Sequence, residues 1–309
     1  MLNLLGHITG MAAILVDVVA IVSIVPMTLS QRLVAASVAG AWVGLATALG
    51  AAGALAYSPE QPVPVVGALF ATPLLAAAAL WLGSQSFRAA LLAIPTELLI
   101  GLNALRVVGV LFLALAAVGR LSGPFPYSAG LGDIVTGLLA IPLALRVARG
   151  EPAPIAAWNA FGALDLFAAV GLGLTSGQGG PLQLLHVGVG SEAMQSLPFS
   201  LAPTVLAPFY LITHAVVAAQ LRARRKARAL RVAQPSSIAS APIARAGGAD
   251  SIVVCEPLDG AYLSPAAVAR LVAGGSPPRS KTAGREARSH RRIGSWRESS
   301  SPDRRPASA

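Results

Sequence analysis

Apolar residues in this chain neither alternate nor recur every third or fourth position. They run on in long blocks, separated by short clusters of turn-forming residues. A helix rises 1.5 Å per residue, so about 20 mostly apolar residues cross the roughly 30 Å hydrocarbon layer of a bilayer. Seven blocks have that length: 2–25, 33–56, 63–82, 94–118, 127–145, 155–174 and 201–221. The breaks between them carry turn chemistry: Pro26, Ser58-Pro59-Glu60-Gln61-Pro62, Gly83-Ser84-Gln85, Gly123-Pro124, Gly150-Glu151-Pro152 and Ser176-Gly177-Gln178-Gly179-Gly180-Pro181. The pattern predicts an all-α, polytopic transmembrane helix bundle over residues 1–221 and a separate tail over 222–309.

Irregularities within the blocks predict bends. Pro73 lies inside the third. Pro198, Pro203 and Pro208 recur five apart, so the seventh span is expected to be broken or kinked near its start. The segment 175–200 before it is semi-apolar and is expected either to lie on the outer surface or to dip in as a re-entrant stretch. Gly6–Gly10 and Gly40–Gly44 are small-xxx-small pairs, which predict close helix packing.

Composition agrees with a membrane protein. The chain is 55% hydrophobic and 12% charged, with a mean hydropathy of +0.68, where a soluble domain carries about 25% charged residues. Charge also divides the chain. Residues 1–221 hold 6 basic and 7 acidic side chains, whereas 222–309 hold 17 basic and 6 acidic ones. The high isoelectric point therefore belongs to the tail, and no nucleic-acid partner is expected. Basic residues collect on one side, with Arg32, Arg88, Arg146, Arg149 and the tail on the expected cytoplasmic face, against Arg120 in the outer loops. That bias predicts an odd number of spans in a multi-pass protein of the cell inner membrane, N-terminus out and tail in. Arg222, Arg224, Arg225, Lys226, Arg228 and Arg231 form a dense run just past the last span, read as a topology signal and as a surface for anionic lipid headgroups. The first block lacks a basic start and contains Asp17, so it is expected to be a retained span rather than a cleaved signal.

The tail reads as an Ala/Ser/Pro linker over 233–250, a short apolar run at Ile252-Val253-Val254, a small helix over 264–272, and an Arg/Ser/Pro-rich disordered end. Cys255 is the only cysteine, which excludes an intrachain disulfide or a thiolate cage.

Chemistry is confined to a few polar residues within the apolar blocks. A charge at bilayer depth costs roughly 2.5–3.5 kcal/mol on insertion scales, so it persists where it is paired, hydrated or used. Counting along the spans puts Arg106 and Asp165 near the midplane, Asp133 in the outer half, and Asp17 and His214 in the inner half. Arg106 is expected to pair with Asp165 or Asp133. Asn103 and Arg106 share a helical face, as do Asp133, Thr136 and Gly137, and as do Trp158, Gly162 and Asp165, with Asn159 lower on the same span. Glu97 falls on the opposite side of the fourth span, near its start. The binding or pathway candidates are Asn103, Arg106, Asp133, Trp158, Asn159, Asp165 and His214.

Several chemistries are excluded. The first lysine is Lys226, so no span can hold a retinal Schiff base. His7 and His214 fall at different depths, which argues against bis-histidine haem. HExxH, Walker A and GxSxG patterns are absent. No cofactor, metal or enzymatic activity is expected; a hydrolase built on His214 with Asp165 or Asp17 is the remaining catalytic alternative.

Four short motifs carry a resemblance: Arg106-x-x-Gly109-x-x-Phe112-Leu113, Ala129-Gly130-x-Gly132-Asp133, Trp158-Asn159-x-x-Gly162-x-x-Asp165, and Leu197-Pro198 with Pro203, Pro208 and His214. In these, over about residues 98–221, the chain resembles a group of uncharacterised bacterial multi-pass membrane proteins. The resemblance implies an integral membrane protein and brings no activity or ligand. Two functions stand side by side: a small-solute or proton pathway lined by the buried polar cluster, and a structural or accessory subunit in which the same charges lock helices together.

Overall fold

The computed structural model describes residues 1–25, 27–57 and 65–233. Pro26, the 58–62 turn with Glu60, the side chain of Arg231, Cys255 and every expectation about residues 234–309 lie outside the described residues. Among the described residues the secondary structure is helical, with no strand. Seven helical stretches are long and apolar enough to cross a membrane: Leu2–Ile24, Leu29–Ala51, Val65–Gly83, Thr96–Ala117, Phe125–Ala148, Ile155–Ser176 and Ala202–Leu230.

The elements in order are α1 (Leu2–Ile24), α2 (Leu29–Ala51), α3 (Val65–Gly83), α4 (Gln85–Leu92), α5 (Thr96–Leu102), a 3-10 turn (Asn103–Gly109), α6 (Val110–Ala117), α7 (Phe125–Ala148), α8 (Ile155–Ser176), a 3-10 turn (Glu192–Gln195), a π-helical turn (Ala202–Leu206) and α9 (Ala207–Ala233). Helix α2 begins earlier than the apolar block because Thr28 and Gln31 close a capping box. The Gln31 amide donates to Thr28 Oγ1 at 3.3 Å and the Thr28 amide to Gln31 Oε1 at 2.9 Å. Helix α4 is a short additional element, started by Ser84 Oγ accepting from the Phe87 amide.

The fourth span departs from the single helix expected over 94–118. It is α5 and α6 joined by a 3-10 turn. Asn103 explains the start of that turn. Its side-chain amide donates to the Leu99 carbonyl at 2.9 Å, the acceptor its own backbone N–H would take in an α-helix, and that N–H turns to Ile100 instead.

The seventh span departs in the opposite sense. It enters through one π-helical turn, Ala202–Leu206, and continues as α9. Pro208 has no N–H to return to the Thr204 carbonyl four residues back. The Trp42 indole N–H of α2 donates to that carbonyl at 3.0 Å. The expected break is thus a widened turn whose freed acceptor is satisfied by a neighbouring helix.

Helix α7 lies at the centre of the bundle, against α5, the Asn103–Gly109 turn, α6 and α8, while α9 closes over α8, α5 and α3. Glycines allow the approach. A Cβ on Gly137 would stand 2.9 Å from the Val107 backbone nitrogen, and one on Gly130 would stand 3.1 Å from the Gly109 carbonyl oxygen. Burial follows this order: 56% of the seventh span's apolar window and 44% of the fourth's is buried, against 11–17% in the first three. The small-residue expectation needs correction here. Gly6 does meet Pro198 and Phe199, but Gly10, Gly40 and Gly44 face open space. Among the described residues only Gly6 of these four glycines therefore serves a close packing contact.

Residues 190–201 pack into the end of the bundle, whereas 178–189 form a non-helical loop with Leu182, Leu184 and Val189 exposed. Ala193, Met194, Phe199, Ser200 and Leu201 are buried, and the Leu197–Pro198 peptide is cis. Leu197 and Ser200 lie against Gly50 of α2, and Pro198 and Phe199 against Gly6 of α1. The stretch is laced to its surroundings. Ser122 Oγ donates to the Val187 carbonyl at 2.5 Å, Ser191 Oγ donates to the Gly173 carbonyl at 2.6 Å, and the Gln178 side chain donates to the Gly188 carbonyl.

Candidate functional site

Arg106 leaves the 3-10 turn of the fourth span and reaches into the seam between α7, α8 and α9. Its side chain is 1% exposed and its guanidinium is occupied on every nitrogen. Nε donates to Asp133 Oδ1 at 2.7 Å, Nη2 donates to Asp165 Oδ2 at 2.5 Å, and Nη1 donates to the Gly162 carbonyl at 3.1 Å and lies 3.1 Å from His214 Nε2. The sequence offered Asp165 or Asp133 as the partner. The planar fork of the guanidinium takes both, one on each side.

Glycines again set the distances. A Cβ on Gly132 would overlap the Asp165 carboxylate, and one on Gly109 would overlap Asp133. A Cβ on Gly162 would come to 2.6 Å from His214 Cε1. Glycine at these points of the motifs is therefore what lets the ionised side chains fold down onto the neighbouring backbone.

His214 is fixed at both ring nitrogens. Arg106 can only donate, so Nε2 accepts and the proton resides on Nδ1, which donates to Asn159 Oδ1 at 3.0 Å. Asn159 Nδ2 returns a hydrogen bond to the His214 carbonyl at 3.2 Å. The Trp158 ring lies 5.2 Å from the imidazole and its N–H donates to the Thr136 carbonyl at 3.1 Å. Asn103, one turn below Arg106, donates to Thr213 Oγ1 at 3.2 Å. Six of the seven sequence candidates thus meet around the Arg106 guanidinium and the His214 ring, and Asn103 joins the same interior through Thr213, the neighbour of His214.

A cavity of about 100 Å³ reaches this network from the loop end of the bundle. Its walls are mostly apolar, Phe70, Phe112, Phe125 and Leu166 among them. Its deep end touches Arg106, Asp133 and Tyr210, and its upper end Tyr57, Ser191 and Gln195. Asp133 is the cluster member with the more open side chain, 16% exposed against 7% for Asp165. Tyr57 is held over the upper end, its amide donating to Gln195 Oε1 at 3.0 Å and its ring against Gly177 and Gly180. Burial there, with the Glu192 carboxylate nearby, pushes its phenol above the ordinary range.

Toward the tail end the buried face of α9 stays polar, with Tyr210, Thr213, His214 and Gln220 all in the interior. A layer of Leu99, Val216 and Val217 crosses between His214 and Gln220. Below it, Thr96 Oγ1 donates to Gln220 Oε1 at 2.7 Å, Gln220 Nε2 donates to the Ile94 carbonyl at 2.8 Å, and Arg224 donates to Thr96 Oγ1 at 2.7 Å. Arg224 is therefore engaged by the bundle, unlike Arg222, Arg225, Lys226 and Arg228, whose side chains are exposed.

Sequence reasoning missed Thr96, Thr213, Tyr210 and Gln220. The signal was present in the spacing of Tyr210, Thr213, His214, Gln220 and Arg224: Thr213 and His214 lie three and four beyond Tyr210, Gln220 seven beyond Thr213 and Arg224 four beyond Gln220, all on one helical face. No curated protein and no solved structure matches the chain. A family model described as a domain of unknown function (DUF8737) matches residues 63–222, the stretch that carries the whole Arg106 network, and the chain belongs to that family.

Proposed function

We propose that this membrane protein moves protons or a small proton-coupled solute past the Arg106 cluster. One observation carries the reading: the cavity from the loop end terminates on Asp133 and Arg106. Beneath it the interior face of α9 continues polar until the Leu99–Val216–Val217 layer. Access from one side with an apolar barrier on the other is what a pathway requires in its resting state. Charge supports it further. Two carboxylates around one guanidinium sum to −1 when all are ionised, and one added proton brings the buried group to neutrality. The apolar cavity walls favour a small, largely uncharged solute over an ion travelling alone.

On this reading the chain performs no catalysis. His214 has its accepting nitrogen filled by Arg106 and so is not free to act as the base of a hydrolytic step. The tail faces the cytoplasm across the inner membrane, where exposed Arg222, Arg225, Lys226 and Arg228 meet anionic headgroups at about 1 kcal/mol each. Reconstituted vesicles under an imposed pH gradient test the transport reading. Asp133→Asn and Asp165→Asn should each slow proton uptake at least tenfold while the protein stays folded. Unchanged flux in both would overturn it.

The structural reading has its own support, since each guanidinium nitrogen is already paired. It predicts that replacing Arg106, Asp133 and Asp165 together by leucine restores both abundance and phenotype. The transport reading predicts abundance alone.

A further inference from the structure

One buried ionisable group stands apart from the Arg106 network and outside the family match. Asp17, in the inner half of α1, is 3% exposed, and neither of its carboxylate oxygens has a hydrogen-bond partner. Across from it on α9 is the Tyr210 hydroxyl, equally buried and also without a closed hydrogen bond. The two groups face each other, close enough to interact but without a hydrogen bond of normal geometry between them. Their surroundings are otherwise apolar: Ala13, Ile14, Leu206 and Leu211 form the core around them.

We propose that Asp17 and Tyr210 form a second proton-binding site, between α1 and α9, separate from the Arg106 cluster. The step is a simple one. A proton bonds to one Asp17 oxygen, the resulting O–H donates to the Tyr210 oxygen, and the buried charge is removed. On release the carboxylate accepts from the phenol O–H instead, so the Tyr210 hydroxyl reverses direction with each cycle.

The charged and titratable surroundings are few. Tyr210 faces Asp17 from α9. Arg106 and Asp133 act on Tyr210 from the cavity side. Arg32, the charged residue of α2, is turned toward the Met27 carbonyl near the tail end, neither α6 nor the π-helical turn carries a charged residue, and Arg106, the charged residue of the Asn103–Gly109 turn that also packs on α1, is committed to Asp133 and Asp165. No cation therefore faces Asp17 among the described residues, which is why a proton is the ligand its environment favours. Tyr210 links the two sites, because the same side chain touches the cavity and faces Asp17. The proposal concerns binding and holds whether or not the transport reading does.

The test is pH-difference infrared spectroscopy of the full chain in lipid nanodiscs, reading the C=O stretch of protonated carboxylic acids. The wild type should show a band that bleaches as pH rises. Asp17→Asn should abolish it, Tyr210→Phe should shift its frequency, and Asp133→Asn and Asp165→Asn should leave it in place. Three results would overturn the proposal: a spectrum unchanged by Asp17→Asn, a band that Asp17→Asn removes but no pH change bleaches, or a band displaced by sodium at constant pH. If Asp17→Asn does not fold, the Tyr210→Phe frequency shift decides, and no shift counts against the site.

Discussion

The fourth and seventh spans both leave the α-helical path, the fourth at its middle and the seventh at its start, in opposite senses. The fourth tightens into a 3-10 turn and the seventh widens into a π turn. Tightening serves side chains: it brings Arg106 and Asn103 onto one eclipsed edge facing α9, where they meet His214 and Thr213. Widening serves the backbone: it accommodates two prolines and exposes the Thr204 carbonyl, which Trp42 fills. A polar site inside a bilayer can thus be made by over-winding a helix to aim its charges, or by under-winding one to release its carbonyls. This chain does the first at the cluster and the second beside the cavity, which Pro203 and Leu206 line.

The largest expected effect comes from removing the residue that the tight turn presents. Arg106→Ala leaves two carboxylates buried without a cation and should cost about 3–5 kcal/mol. Folded protein recovered by size-exclusion chromatography should fall to a small fraction of wild type, and Arg106→Lys should not rescue it, because a point charge cannot bridge two carboxylates and a carbonyl. Normal recovery of Arg106→Ala would mean that the turn does not exist to place this side chain.

A smaller effect tests the seam where the two spans meet. Gly162→Ala drives a methyl to 2.6 Å from His214 Cε1, and overpacking of this kind costs about 1–3 kcal/mol. A lowered melting temperature with the His214–Asn159 coupling broken is the expected result.

The wide turn is tested by a double-mutant cycle. Trp42→Phe should lose about 1 kcal/mol by stranding the Thr204 carbonyl. In a Pro208→Ala background the restored N–H at 208 can take that carbonyl, and the loss should shrink to what the change in ring size alone produces. Additive effects would show that the indole bond has no connection with the proline. The smallest effect is expected at Gly40 and Gly44, inside α2, where alanine meets nothing within 4 Å and each substitution should stabilise by about 0.5–1 kcal/mol through helix propensity alone.

Much of this was legible before any coordinates. Seven spans followed from apolar length alone, and Arg106, Asp133 and Asp165 announced themselves as charges in oil. What the sequence could not show was local winding. A 3-10 turn and an α-helix present the same apolar run, and the decisive interaction is one Asn103 side chain competing for the Leu99 carbonyl. Depth favoured Asp165 over Asp133 and could not show that Arg106 takes both, because that depended on Gly109 and Gly132 letting both acids approach. Gly40 and Gly44 misled for a related reason: a small-residue pair says that a face can be approached closely, and not that anything in the same chain approaches it. Thr96 and Gln220 escaped notice because neutral polar residues near span ends look like ordinary interface residues until their partners are known.

The guanidinium has a consequence for how the protein is made. Synthesis delivers Arg106 before the two acids that will hold it, since both lie downstream in α7 and α8. Until they emerge, the positive charge has no counter-ion. Its span is nevertheless the most apolar of the seven, with a mean hydropathy of 2.3, while the one bearing Asp165 reaches only 1.5. The surplus apolar residues around the arginine offset the insertion cost of its charge before the acids arrive. The later, less greasy segment then has a ready-made ion to insert against.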